Sequence, residues 1–237
     1  TTATWLIEVL NIVSGNLDRP GGAMFPNPPV DVMRLQPKTE RGRWRSRTRG
    51  TPEFMGELPA ATLAEEIETP GDGQVRALVT LAGNPGLSSP AGHRLSAALR
   101  RLDFVVSTDF YLNETTRYAH VILPGLSPLE SPHYDVALWQ LAVRNIANYS
   151  APVFPTPTDR PAEWQTMLKL AAIVMGQGAT ADPTLLDDFA ARQQVEEAVG
   201  AAGSPIAGRA PDEIMAALAP RRGPERMLDL MLRTGPY

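Results

Sequence analysis

The chain has 237 residues, a formal net charge of −4, 43% apolar and 6% aromatic residues, and no cysteine. That length can hold one large domain or two small ones with a sizeable core, and no apolar run approaches the ~20 residues of a membrane-spanning helix. An acidic balance gives no reason to expect nucleic acid as the main partner, and without thiolates this chain cannot ligate an iron–sulfur cluster.

Residues 4–13 space Trp5, Leu6, Val9, Leu10 and Val13 near 3.6 residues and stop at Gly15-Asn16, which predicts an amphipathic helix with a glycine stop. Glu8 and Asn11 interrupt that apolar run, so it does not read as a signal peptide, and a cytoplasmic location is expected. Residues 19–73 are rich in Pro, Gly and Arg, with one short helix predicted over 60–68. A stretch this irregular is unusual inside a compact domain and is expected to wrap over other parts of a longer protein. Within it Arg41, Arg43, Arg45, Arg47 and Arg49 alternate with Gly42, Trp44, Ser46 and Thr48, and in an extended chain these arginines share one face. Two readings stand: a surface for phosphates, RNA or an acidic partner, or a solvated loop in a chain that is acidic overall.

Three short apolar runs follow, VRALVTLAGNP over 75–85, LDFVVSTDF over 102–110 and YAHVILPGLSPLE over 118–130, with a helix-like stretch over 89–101 between the first two. Strands alternating with helical patterns imply a parallel sheet, whose neighbouring strands need a crossover. Strands are predicted near 75–81, 104–107 and 121–123. Ligands of such sheets bind at the carboxyl ends of the strands, where AGNP and STDF lie. Residues 131–150 are expected to supply a strand and turn closing the sheet or covering its edge. A helix is predicted over 161–175, with Trp164, Met167, Leu168, Ala171 and Ile173 inward, and three more over 183–199, 211–218 and 224–232, each starting near a Pro.

Each strand-end loop admits two uses. Asn84, Pro85, Ser88 and Ser89 form a strand-to-helix turn whose N–H groups and hydroxyls suit a diphosphate; NPG is also simply a good turn sequence. Asp109, after Thr108, can accept from N1–H and the exocyclic amine of guanine, a pair adenine does not offer; it can equally cap a turn. Glu114 and Thr115 either order the loop beneath a nucleotide or start a helical turn. Glu163 either contacts a ligand or sits in a helix's first turn, favoured by the dipole. His120 and His133 have no metal-ligand neighbour at a useful spacing and read as structural.

In order and spacing these elements resemble the molybdopterin oxidoreductase family, which includes formate dehydrogenases and nitrate reductases. The resemblance runs through SGNLDRPGG over 14–22, the strand ending in Gly83-Asn84-Pro85, the Thr108-Asp109 pair, Ala119 to Pro124, and Glu163-Trp164. It implies an α/β fold: a Rossmann-like parallel sheet flanked by helices, with a long irregular N-terminal segment and a helical C-terminal segment. The expected division is 1–73, a cofactor-binding 74–178, and a helical extension 179–237. By the resemblance Asn84 contacts a pterin guanine dinucleotide, and Thr108-Asp109 recognises its guanine. Asn113-Glu114-Thr115 stands where the family has T-E-T, His120 stands where it commonly has Asp, and Glu163 stands where Asp precedes Trp. The candidate cofactor-binding set is Asn84, Pro85, Ser88, Thr108, Asp109, Glu114, Thr115 and Glu163, with no catalytic residue and no metal ligand assigned.

The chain starts partway through a helical pattern and ends without a terminal element, so the expectation is an interior piece of a molybdenum oxidoreductase; a complete small protein with a partial family fold is the alternative. The resemblance implies molybdopterin guanine dinucleotide (Mo-bis-MGD) in the parent enzyme and allows an iron–sulfur cluster there, ligated outside this chain. Expected partners are the parent's remaining domains and a redox partner subunit, with neither nucleic acid nor a membrane span, and the piece alone is expected to be inactive. A nucleotide-binding or protein-interaction module of the same fold without redox activity is the second hypothesis. The arginine tract prompts a third, a nucleic-acid-binding protein.

Overall fold

The computed structural model describes residues 2–32 and 42–237, and they gather into two compact units. One takes in residues 42–127 and 156–163, the other residues 2–32, 128–155 and 164–237. Arg41, the first arginine of the alternating tract, lies outside the described residues.

The first unit is built on a parallel sheet of three strands in the order β1 (Ala77–Leu81), β2 (Phe104–Thr108), β3 (Val121–Ile122). Its register sets Leu81 beside Thr108, so β1 and β2 end level with one another, and Val106 pairs with Val121. The strands fall where the β-branched runs predict them, each within two residues. Two helices of the unit supply the covering layer, α2 (Leu63–Glu68) and α4 (Gly92–Leu99), with a four-residue turn of helix, α3 (Pro85–Ser88), between β1 and α4. Their apolar faces and the inner face of the sheet form one core of Ala64, Ile67, Leu95, Ala98, Leu99, Leu102 and Val105, against which Leu78 and Tyr118 pack. On that inner face Thr80 and Ser107 are buried, and Thr80 Oγ1 donates to Ser107 Oγ at 2.7 Å, so neither hydroxyl is stranded. The opposite face keeps Val79, Leu81, Phe104 and Val121 between 38% and 55% exposed.

The arginine tract is not an extended row. Bridges Arg45–Pro52 and Phe54–Glu57 fold it back on itself, and Arg43, Arg47 and Arg49 each meet a carboxylate of the unit. Glu53, buried, accepts from the backbone N–H of Gly42 and Arg43 and pairs with the Arg43 guanidinium at 3.1 Å. Its carboxyl is held below the usual range first by the N–H of Gly56 and then by Arg43. Arg47 Nε lies 3.3 Å from Glu66 and its Nη2 donates to the Thr69 carbonyl at 2.7 Å. Arg49 grips Glu65, which also meets Arg94 of α4 at 2.9 Å, and Arg94 reaches on to Glu68 at 2.7 Å. Arg45 donates to the Gly50 carbonyl. Residues 42–57 thus form a folded clasp on α2, with Arg43, Arg45, Arg47 and Arg49 still exposed on its surface.

The second unit is helical: α1 (Thr2–Val13), α5 (Glu163–Val174, whose first residue belongs to the other unit), α6 (Pro183–Gly200), α7 (Pro211–Leu218) and α8 (Gly223–Arg233). Asp182 caps α6 by accepting from the Thr184 N–H, with Pro183 at the first helical position, where its missing donor costs nothing. Val195, Ile206, Ile214, Leu218 and Leu230 form the core of α6, α7 and α8. Beside it Arg226 and Asp187, both about 95% buried, form a pair at 3.4 Å, with Asp188 joining at 2.6 Å and the Gly223 N–H donating to Asp187. Gly223 has φ +55° and lies so close to Trp164 that a Cβ there would fall 2.6 Å from the indole ring, so only glycine fits.

Two expectations need correction. Residues 131–150 form no strand of the sheet: they hold one antiparallel bridge, His133–Ser150, and a 3₁₀ turn, Trp139–Leu141, and belong to the helical unit. On α5 the buried position is Ala172, while Ala171 and Ile173 face solvent, so the helix is rotated from the predicted phase. Among the described residues no helix is long and apolar enough to cross a membrane.

Candidate functional site

Because β1 and β2 are parallel and in register, the loops that follow them emerge side by side at the carboxyl end of the sheet. β1 leads through Ala82, at φ +48°, into Gly83 and Asn84. A non-glycine residue in the left-handed region costs ~1–2 kcal/mol, so this turn is held by its surroundings. The Ala82 N–H donates to the Thr108 carbonyl at 2.8 Å, which extends the ladder one residue past the strand.

The two loops are then stapled together. Asn84 Nδ2 donates to Glu114 Oε2 at 2.7 Å, and Thr115 Oγ1 donates to Asn84 Oδ1 at 2.7 Å while accepting the Gly86 N–H at 2.9 Å. The side chain of Thr115 is wholly buried, whereas Glu114 is exposed. Donation from Asn84 is the main cause holding the Glu114 carboxyl below its usual range, with its own backbone N–H and then Arg117 adding to it. Gly86 sits against this second loop: a Cβ there would lie 3.1 Å from the Glu114 carbonyl oxygen.

The loop after β2 is organised around Asp109. Its Oδ1 accepts the Tyr111 N–H and its Oδ2 accepts Asn113 Nδ2, both at 2.9 Å. Asn113 Oδ1 in turn accepts the N–H groups of Thr115 and Thr116, and Thr116 Oγ1 donates to the Tyr111 carbonyl at 2.7 Å. Asp109 therefore does cap a turn. A carboxylate has about four acceptor positions, and two are used here. Beside it, Thr108 is 3% exposed, and its Oγ1 has no hydrogen-bond partner. A dry, unpaired hydroxyl costs of the order of 1–3 kcal/mol, so a native structure that keeps one calls for an explanation.

Of the sequence-derived candidates, Asn84, Pro85, Ser88, Thr108, Asp109, Glu114 and Thr115 all lie in these two neighbouring loops. Their local roles differ from the expected diphosphate cradle. The N–H groups of Leu87 and Ser88 both turn back to the Asn84 carbonyl, that of Ser89 to Pro85, and that of Gly86 to Thr115. Ser88 Oγ also donates to the Asn84 carbonyl. Glu163 opens α5 and takes no part in this hydrogen-bonded cluster. Sequence reasoning left Asn113 without a role; its place four residues after Asp109 and two before the Thr115-Thr116 pair is the signal of the amide that ties the loop. His120 is structural, its Nδ1 accepting the Val105 N–H at 3.0 Å. His133 pairs with Asp135 at 2.9 Å.

Residues 1–202 match the family model described as molybdopterin oxidoreductase. The assimilatory nitrate reductase catalytic subunit of Bacillus subtilis is 32% identical over 136 residues, 56% of this chain and 18% of that protein. Formate dehydrogenase 1 subunit alpha of Methanococcus maripaludis is 32% identical over 105 residues, 44% of this chain and 15% of that protein. The NADPH-Fe(3+) oxidoreductase subunit alpha of Geobacter sulfurreducens is 29% identical over 153 residues, 63% of this chain and 18% of that protein. The chain thus spans less than a fifth of each of these relatives.

Proposed function

We propose a function that starts from one fact: this chain belongs to the molybdopterin oxidoreductase family. Our reading is that it is part of a molybdenum-dependent oxidoreductase of the nitrate reductase and formate dehydrogenase kind. Residues 74–178 hold the guanine end of a molybdopterin guanine dinucleotide. The remaining domains of that enzyme are its partners. When bound, the cofactor supplies the redox chemistry, and this chain's residues bind and orient one end of it.

The observation that carries the reading is the pairing of an unpartnered, buried Thr108 hydroxyl with a carboxylate, Asp109, that keeps two acceptor positions in hand. An acceptor-rich carboxylate matches the two adjacent N–H donors of guanine and opposes the adenine edge, whose ring nitrogen is an acceptor. The Thr108 hydroxyl gains the partner it lacks from a ligand atom in the same loop. Asn84, Glu114, Thr115 and Asn113 act one step back, fixing the two loops so that Asp109 is not free to rotate. Pro85 and Ser88 shape the first loop; Glu163 is kept in the set on resemblance alone.

Asp109→Asn in the complete enzyme tests this. Replacing a carboxylate acceptor with an amide turns one contact into donor against donor. Loss of a charge-assisted hydrogen bond weakens cofactor retention about ten- to hundredfold. The expected readout is substoichiometric molybdenum and released GMP in a protein that remains folded. Full molybdenum content with unchanged turnover would show that Asp109 only shapes its turn. Binding of nucleotides by this chain with no preference for guanine would favour a nucleotide-binding module without redox function.

A further inference from the structure

We propose that the Tyr111 ring is the stacking platform for the purine base whose edge Asp109 reads, an assignment that rests on the guanine reading above. Directly after Asp109 come Phe110, Tyr111 and Leu112, 51%, 67% and 78% exposed. Three large apolar side chains exposed in a row at the carboxyl end of a parallel sheet need a partner surface. The backbone beneath them is not loose. The Tyr111 N–H donates to Asp109 Oδ1 at 2.9 Å, and its carbonyl accepts from Thr116 Oγ1 at 2.7 Å, with Thr116 itself 1% exposed. The Phe110 ring lies 4.6 Å from the Tyr111 ring at 55°, a tilted pair that limits where the tyrosine can turn.

A fixed backbone under an exposed ring is what a stacking residue requires. Tyrosine has two side-chain torsions, so little conformational freedom remains to be lost on binding. A base also has two kinds of surface. Its edge carries the hydrogen-bonding pattern that a carboxylate reads, and its faces are apolar and take an aromatic ring. Asp109 addresses the edge and leaves the faces bare. Of the two rings that follow it, Tyr111 is the more exposed and the one whose own N–H is tied to the same carboxylate, and it is the ring placed to cover one. Base stacking is tolerant of base identity, because every base has a π-face. Edge recognition is not. The two contributions therefore separate by ligand.

The test is titration of the 237-residue chain and its variants with GDP and with ADP. Tyr111→Ala is expected to weaken both nucleotides by a similar factor, about five- to a hundredfold. Tyr111→Phe, which keeps the ring, retains both affinities, and Tyr111→Leu, which keeps bulk without a π-face, does not. Asp109→Asn is expected to lower GDP affinity alone. With the ring 67% exposed, none of these Tyr111 variants removes core packing, and unchanged thermal unfolding checks that. If Tyr111→Ala binds GDP as the unaltered chain does while Asp109→Asn loses it, stacking is overturned and the guanine reading stands. If Asp109→Asn changes nothing while Tyr111→Ala weakens both ligands, the guanine reading falls and an unselective stacking site remains. No saturable GDP binding by the unaltered chain overturns both.

Discussion

Thr115→Val isolates the staple between the two strand-end loops. Valine keeps the volume of threonine, so no cavity opens, and the change removes only the hydroxyl. That hydroxyl donates to Asn84 Oδ1 and accepts the Gly86 N–H, at 2.7 and 2.9 Å, from a side chain that is 0% exposed. Each lost neutral hydrogen bond is worth ~1 kcal/mol, and a partner left dry costs ~1–3 kcal/mol. Asn84 and Gly86 are half-buried, so water replaces part of the loss, and the expected destabilisation is about 2–3 kcal/mol. Urea unfolding of the chain reads the total. Amide exchange at Gly86 reads the cause, because that N–H should exchange much faster in the variant while the β2 amides change only with global stability. Thr115→Ser, which keeps the hydroxyl, should leave Gly86 protected. A loss below ~0.5 kcal/mol, the scatter of neutral surface changes, together with unchanged Gly86 protection, would show that the loops are held by something other than this staple.

Two more expectations concern the rest of the chain. Gly223→Ala should destabilise the helical unit by about 2–5 kcal/mol in thermal unfolding, combining the left-handed backbone cost with overpacking against Trp164; a neutral result would refute the close approach at that glycine. Glu65, ordinarily near 4.5, is held at about 2, chiefly by its hydrogen bonds from Arg49, opposed by partial burial and reinforced by Arg94. Because the folded value is the lower one, its stabilising contribution is complete above about 4.5 and disappears as pH falls from there toward 2. Glu65→Gln should therefore flatten the acid limb of the stability curve in that window, and an unchanged limb would remove Glu65 from the acid transition.

The strands were legible because Ala77–Leu81 and Phe104–Thr108 are β-branched runs bounded by turn residues, a pattern with few other solutions. Their carboxyl ends brought Asn84 and Asp109 to one side of the sheet for the same reason. What could not be read was how the loops spend their hydrogen bonds. Leu87, Ser88 and Ser89 turn their N–H groups back into their own segment, and Asn113 gathers those of Thr115 and Thr116. Such choices follow from three-dimensional proximity and leave no period in the sequence. The partners of the arginine tract were hidden for a related reason, since Glu65 and Glu66 lie 16 to 19 residues ahead, beyond any alternating pattern. In 131–150 apolar residues suggested a strand, yet Val143 and Leu141 are 89% and 74% exposed and Trp139 alone is buried, so no alternating buried face was there to set one.

The unfinished face of the sheet has a consequence for how the chain behaves in solution. β1 ends the sheet with pairing on one side only among the described residues, and Val79, Leu81 and Phe104 stand open beside that edge. An apolar face next to unpaired backbone groups is a template for other copies of the same strand. A net charge of −4 supplies little mutual repulsion to oppose this. Sulfate or phosphate salts, which strengthen apolar burial, should then promote self-association, and a charged residue at Val79 should suppress it without touching the core on the other face.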